Sequence, residues 1–379
     1  MLEVRWLSAI EQISAQQWNG VLNNDNPFMQ HAFLLALETS GAVCRDTGWQ
    51  PQHGLFYRHD KLVGILPGYR KWHSYGEYVF DFSWAEAFHR HGINYYPKLL
   101  AAIPFTPSTG PRLCAVDGEN PLQMASLLCD LIGREEGEDA CSSWHLLFAD
   151  ESLHRRLPAP LLSRQGIQFH WFNRGYSDFD DFLAALRSRH RKTIRKERRG
   201  VTEQGIELQR LDGHQIDPAL WVEFHRFYQL TYLKRSGHRG YLPLSFFEQL
   251  GRELPSQLML VVARQQGRIV AAALNLRDSR HLYGRYWGCL QEFDFLHFET
   301  CYYQGIEYCI EQGLECFDAG AQGQHKIKRG FEPVVTWSSH WIREPQFREA
   351  IKHFLGQEAR YLEREMAAAR ELLPYAGEP

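Results

Sequence analysis

The chain has 379 residues, 42 Lys+Arg against 45 Asp+Glu, a formal net charge of −3, and 44% hydrophobic residues. At about 150 residues per domain this length suggests two domains or possibly three, and the near-neutral balance confines any polyanion site to a local patch. No run of 18 apolar residues occurs, the N-terminal stretch MLEVRWLSAIEQISAQQW is too polar for a secretory signal, and eight cysteines lack any C-x-x-C pair, so the expectation is a reduced, cytoplasmic protein without a disulfide framework.

The Asn24-Asp25-Asn26-Pro27 signal predicts a helix over 28–40. Strands are expected over 53–58 and 62–69, joined at His59-Asp60-Lys61, with a third, aromatic strand over 75–82. The second half repeats this grammar: strands over 258–264 and 268–276, a turn at Gln265-Gln266-Gly267, and a third strand over 281–287. Lys61-Leu62-Val63-Gly64 precedes Arg268-Ile269-Val270-Ala271 by 207 positions, Tyr75-Gly76-Glu77-Tyr78 precedes Tyr283-Gly284-Arg285-Tyr286 by 208, and Tyr95-Tyr96-Pro97 precedes Tyr302-Tyr303-Gln304 by 207. The near-constant offset suggests a duplicated unit of hairpin, third strand, helix and strand. Two unrelated meanders with chance aromatic matches are the alternative. Domains are expected over 1–170 and 171–379, parting near Pro158 and Pro160. A helix over 298–312 should turn Cys301, Tyr302, Ile306 and Cys309 to the core, and a closing helix over 346–373 should dock on the second domain.

Three places could carry chemistry. The expected helix 179–199 has an apolar stripe of Phe182, Leu186, His190 and Ile194, and eight Lys/Arg among residues 187–199 opposed only by Glu197. Arg191, Lys192 and Arg195 belong to this set, which suits the phosphates of a nucleotide carrier, RNA or anionic headgroups. A solvated face paired with acids elsewhere is the plainer reading.

The loop DAGAQGQHKIKRGF (318–331) follows a short strand. Gly320 and Gly323 permit left-handed backbone and close approach of a ligand. Gln322, His325, Lys326, Lys328 and Arg329 crowd beside them. In this reading His325 moves the proton, Gln322 joins the catalytic group, the 320–323 backbone donates to an oxyanion, the three cations clamp charge, and Tyr286 is a candidate acid. A surface loop built around a glycine turn is the alternative. Strand alternation would put Glu77 and Arg285 at equivalent places in the two copies, pairing with each other or gripping opposite ends of one zwitterionic substrate. Metal and serine-hydrolase motifs are absent: neither H-E-x-x-H nor G-x-S-x-G occurs.

Seven phrases, PFMQHAFLLALETSG, HSYGEYVFDFSWA, YYPKLLAAIPFTPSTGPRL, HRKTIRKERRGV, LYGRYWG, LHFETCYYQGIEY and GAQGQHKIKRGF, together resemble the FemAB-like family of N-acyltransferases, linked by name to peptidoglycan biosynthesis. The resemblance implies an α+β fold of two tandem GNAT-like domains with mostly antiparallel sheets. It also implies transfer of an acyl or aminoacyl group to an amine. The donor it implies is a co-substrate, acyl-CoA or aminoacyl-tRNA, rather than a tightly bound cofactor. The acceptor would be a small-molecule or peptidyl amine. Many members carry Glu where this chain has Gln324, so a non-catalytic protein that recognises a peptidoglycan fragment or other polyanion is the second reading. The segment 289–297 has no glycine and holds Glu292 and Asp294, which would repel a pyrophosphate at the helix start.

Overall fold

The computed structural model describes residues 1–321 and 323–377. The chain forms two compact units, one of residues 1–167 and 335–364, the other of 168–334 and 365–379. The first contains β1 (Leu2–Leu7), β2 (Trp49–Pro51), β3 (His53–Arg58), β4 (Lys61–Leu66), β5 (Gly68–Lys71), β6 (Lys98–Ala101), β7 (Cys114–Ala115) and β8 (Ser143–Ala149). β1, β3, β4 and β7 make one antiparallel sheet in that order. β4 and β5 are nearly one strand, interrupted at Pro67, which has no N–H to give a ladder. Beyond it β5 lies between β2 and β6, and β6 runs parallel to β8 across helix Pro121–Gly133. Trp144, Phe56, Leu128 and Met124 anchor the core between sheet and helix.

The second unit takes the end of β9 (Leu162–Phe172), then β10 (Ile206–Asp212), β11 (Leu258–Gln265), β12 (Arg268–Arg277), β13 (His281–Cys289) and β14 (Cys316–Asp318). Successive strands from β10 to β13 pair antiparallel, and β14 returns parallel to β13 after a helical segment over 296–312. Each unit thus orders an antiparallel set, a helix and one parallel strand. An antiparallel strand then covers the parallel one: β9 on β14, and β15 (Glu332–Ile342) on β8. The duplication is real at the level of topology.

The matching phrases coincide only at the hairpin, where β4 and β12 correspond. Residues 75–82 are not a strand. They form a looped segment in which Gly76 and Tyr78 take φ of +80° and +60°. Tyr95-Tyr96-Pro97 leads into β6 rather than opening a helix. The predicted 179–199 helix breaks at Leu186, giving Phe179–Ala185 and Ser188–Glu203, because Leu186 is extended and bridges to Tyr375. The closing helix Pro345–Glu371 is shared: its first turns pack Phe347, Ile351 and Leu355 against Trp84, Phe88 and Tyr95 of the first unit, and only from Glu365 onward does it belong to the second, where docking of the whole helix was expected. All eight cysteines are free. Among the described residues no helix is long and apolar enough to cross a membrane.

Candidate active site

Chemistry concentrates where β13 and β14 part. They pair only over His281–Tyr283 and Cys316–Asp318. Past this point the register of β13 against β12 slips by one residue at Arg285, a bulge that turns its side chain toward Asp318. Arg285 Nη2 donates to Asp318 Oδ2 at 2.5 Å, and the Gly320 N–H donates to Asp318 Oδ1 at 2.9 Å. Burial alone would raise the Asp318 pKa, but Arg285 and His170 override it and hold the carboxyl well below the usual range. Asp318 is therefore a charged staple at the mouth of the strands.

The loop folds back through Lys326. Its buried ammonium donates to the carbonyls of Ala319 at 2.9 Å and Gly320 at 2.5 Å, and burial pulls its pKa down to about 8. Gly320 and Gly323 both have positive φ, +88° and +119°. At Gly323 a Cβ would lie 2.4 Å from the His325 ring, so glycine is needed for that ring's position. His325 Nε2 lies 2.7 Å from the Tyr302 hydroxyl. Burial and the charges of Arg329, Lys326 and Arg235 depress the His325 pKa, keeping the imidazole neutral at neutral pH.

Tyr302 reaches His325 because the helical segment contains a π turn, Glu299–Tyr303. The extra residue in that turn brings two successive tyrosines inward. Tyr302 meets His325, and Tyr303 donates to the Glu197 carboxylate. Glu197, the single acid of the basic run, also takes Arg329 at 2.7 Å through Nη2, while the Arg329 guanidinium lies 3.5 Å over the Phe298 ring. His297 sits edge-on to both Trp287 and Tyr302, and burial, with Arg235, drives its pKa down to about 3.

Several expected roles are thereby corrected. Arg329 is not a free clamp, since Glu197 and Tyr303 consume it. The Gly320 N–H already serves Asp318 and is no oxyanion donor. Tyr286 packs among Tyr228 and Phe247, whereas Trp287, its neighbour, faces His297, so Tyr286 lies on the wrong face to act as acid. Glu77 and Arg285 do not pair: Glu77 is held by Lys98 at 2.8 Å within the first unit, and Arg285 by Asp318 within the second. Gln322 lies outside the described residues.

The cations divide by helix face. Arg198 is closed on Glu299 and Glu307, Arg195 meets exposed Asp180 at 2.8 Å, and Arg191 donates to the Ala184 carbonyl. Arg189, Lys192, Lys196 and Arg199 recur at i, i+3, i+7 and i+10, are exposed, and form one outward stripe. Lys328 is exposed as well, on the loop that packs against this helix. Tyr302 and His297 were absent from the sequence-based site. Helical spacing assigns Tyr302 to the core, and only the π turn brings its hydroxyl to His325.

The family model described as peptidoglycan biosynthesis/recognition, FemAB-like, matches residues 9–377. Among solved structures the chain is similar to a crystal structure of FemX, with a TM-score of 0.53 and 13% identity over 89% of this chain and 98% of that one. It is similar to the C-terminal domain of a putative lysylphosphatidylglycerol synthetase from Agrobacterium fabrum, with a TM-score of 0.53 and 9% identity over 90% and 95%. A Bacteroides thetaiotaomicron protein of unknown function gives 0.52 and 10% over 90% and 100%. No curated protein sequence matches significantly. The fold is α+β with two tandem GNAT-like domains, and the chain belongs to the FemAB-like family.

Proposed function

We propose that this protein transfers an aminoacyl group from a polyanionic carrier of the aminoacyl-tRNA class to an amine, in peptidoglycan-related metabolism. The observation that carries the reading is the neutral His325, fixed by Tyr302 beside the parting of β13 and β14. The amine nitrogen attacks the ester carbonyl. A C–N bond forms, the C–O bond to the carrier breaks, the amine proton passes to His325, and the leaving hydroxyl takes it back. Lys326 holds the loop that positions His325. The outward stripe and Lys328 face the carrier's phosphates. The donor is a co-substrate, and its class is cytoplasmic.

Two features favour this carrier over CoA. Glu292 is exposed at the turn before the helical segment, and the Asp294 N–H is already taken by Gln204 Oε1 at 3.2 Å. Carboxylates and an occupied donor leave a poor cradle for a pyrophosphate. The test supplies the full chain with a muropeptide amine and either charged tRNA or acyl-CoA. Amide product is expected with charged tRNA, and His325→Ala should lower kcat by about 10²–10⁴-fold. Full turnover by His325→Ala would remove its role. Product from acyl-CoA alone would reverse the carrier assignment. Failure with both donors would favour the binding-protein reading, for which exposed Gln324, unable to act as a base, is the supporting feature.

A further inference from the structure

In the second unit two irregular pieces of backbone bring one imidazole to one phenol. The turn Glu299–Tyr303 is a π turn, a rare departure from α-helical phase that recurs at functional places. It delivers the Tyr302 hydroxyl to 2.7 Å from His325 Nε2. From the other side, the His325 ring lies against Gly323, whose φ of +119° and missing Cβ make room for it. Tyr302 is buried and His325 is exposed, so the phenol reaches the imidazole from beneath.

Both groups are neutral near neutral pH. Burial pushes the Tyr302 phenol well above its ordinary range, and burial with the charges of Arg329, Lys326 and Arg235 lowers the His325 imidazole. Their contact then has two forms. Either the phenol O–H donates to Nε2 and the ring proton sits on Nδ1, or Nε2–H donates to the phenol oxygen. The second form needs a further acceptor for the phenol proton. Around the Tyr302 ring lie the rings of His297, Phe298 and Phe331, and the Lys326 ammonium, itself a donor, 5.9 Å from the ring centre. Among the described residues His325 Nε2 is the one hydrogen-bond partner of the hydroxyl. A buried O–H without an acceptor is costly, so the first form holds. The Nε2 lone pair is capped, and Nδ1 carries the proton.

We infer that Tyr302 is a second proton-transfer group, through which a proton enters His325 at Nε2 and forces another out at Nδ1. This rests on the reading of His325 as the group that moves the proton, and adds a direction to it. As the C–N bond forms, the phenol oxygen takes the amine proton while its own proton moves to Nε2. The resulting imidazolium gives its Nδ1 proton to the leaving oxygen as the C–O bond breaks. Amide, alcohol and a neutral imidazole remain, with the ring proton on Nε2. Exchange with water at the exposed ring returns that proton to Nδ1. One imidazole thereby serves the amine as base and the leaving group as acid without having to turn between them.

The proton's place can be read without any donor, so its failure is separate from a failure of transfer. In the full chain carrying isotope-labelled histidine, proton–nitrogen correlation spectra should show neutral His325 as the Nδ1–H tautomer, its signals assigned by their loss in His325→Gln. Tyr302→Phe keeps the ring and removes the cap, which lets the imidazole place a lone pair on its exposed side. Diethyl pyrocarbonate acylates a neutral imidazole nitrogen. It should modify His325 about tenfold faster in Tyr302→Phe than in wild type, with exposed His59 as the internal standard. In the transfer assay the same variant should lose about tenfold or more in kcat at unchanged KM. An Nε2–H tautomer in the wild type overturns the inference. So does a modification rate or a kcat that Tyr302→Phe leaves unchanged. Should that variant fail to fold, the wild-type spectrum alone decides.

Discussion

The two units share a topology and use their charges in opposite ways. In the first, the parallel partner strand β8 is long and buried throughout, and the ionic cluster of Lys71, Glu77, Asp81 and Lys98 is sealed beneath it and its neighbours. A hydrogen-bond chain leads from Asp81 through Tyr95 to His145 and His340, whose ring nitrogens lie 2.6 Å apart. Burial drives the His145 pKa down to about 3. In the second unit, the equivalent strand β14 stops after three residues and opens into a glycine loop. There the buried ions, Asp318 with Arg285 and Glu197 with Arg329, serve as struts for an exposed histidine. A strand a few residues shorter converts a polar core into a site with an entrance. The proposed transfer chemistry therefore falls in the second unit, while the equivalent place in the first is a closed ionic core.

If the struts are what separates the units, breaking one should be the costliest change. Glu197→Ala leaves the Arg329 guanidinium buried, with Tyr303 as its remaining side-chain acceptor. Removing one member of a buried pair costs about 3–5 kcal/mol. The denaturant midpoint should fall accordingly, and His325 should lose its fixed position. A loss below about 1 kcal/mol would mean the loop is held otherwise.

The outward stripe offers a second, smaller contrast, because Lys192 and Lys196 stand exposed on it. Lys192→Ala with Lys196→Ala should leave stability unchanged. Their effect should appear as a decrease of about 1.5 in the slope of log K against log salt for tRNA binding, two phosphate contacts being lost. An unchanged slope would remove the helix from the carrier site.

Much of the second unit was legible in the sequence because its signals are local. The β11–β12 hairpin, the basic run and the glycine loop each announce themselves within a few residues. The first unit misled. Residues 75–82 alternate like a strand, yet Glu77 and Asp81 are drawn onto Lys98, which is remote in sequence, and Gly76 and Tyr78 turn the chain left-handed. A long-range ionic contact overrode a local aromatic pattern. Tyr302 was hidden for a related reason, since a π turn shifts the helical phase by one residue without a composition cue. The family phrases were legible, but they report ancestry rather than which side chain touches which.

The sealed cluster can be sharpened through Lys71. Its ammonium is fully buried, 3.2 Å from the Tyr75 carbonyl, 3.6 Å over the Trp49 ring and 3.9 Å from Glu77. Burial brings its pKa down to about 7, despite the opposing pull of Glu77. An unfolded lysine titrates near 10.4. Between pH 7 and about 10.4 the unfolded chain therefore binds more protons than the native one at this group, and its contribution to stability rises with pH across that window. Below pH 7 the penalty for burying the charge is complete. Lys71→Met removes both the charge and its titration while keeping the shape. Relative to wild type, the variant should gain roughly 1 kcal/mol at pH 6, and the gain should shrink toward pH 10. Denaturant midpoints measured at both values decide it. A variant destabilised equally at both would make Lys71 a satisfied partner of Glu77, and the first unit's core would then depend on two working lysines rather than on Lys98 alone.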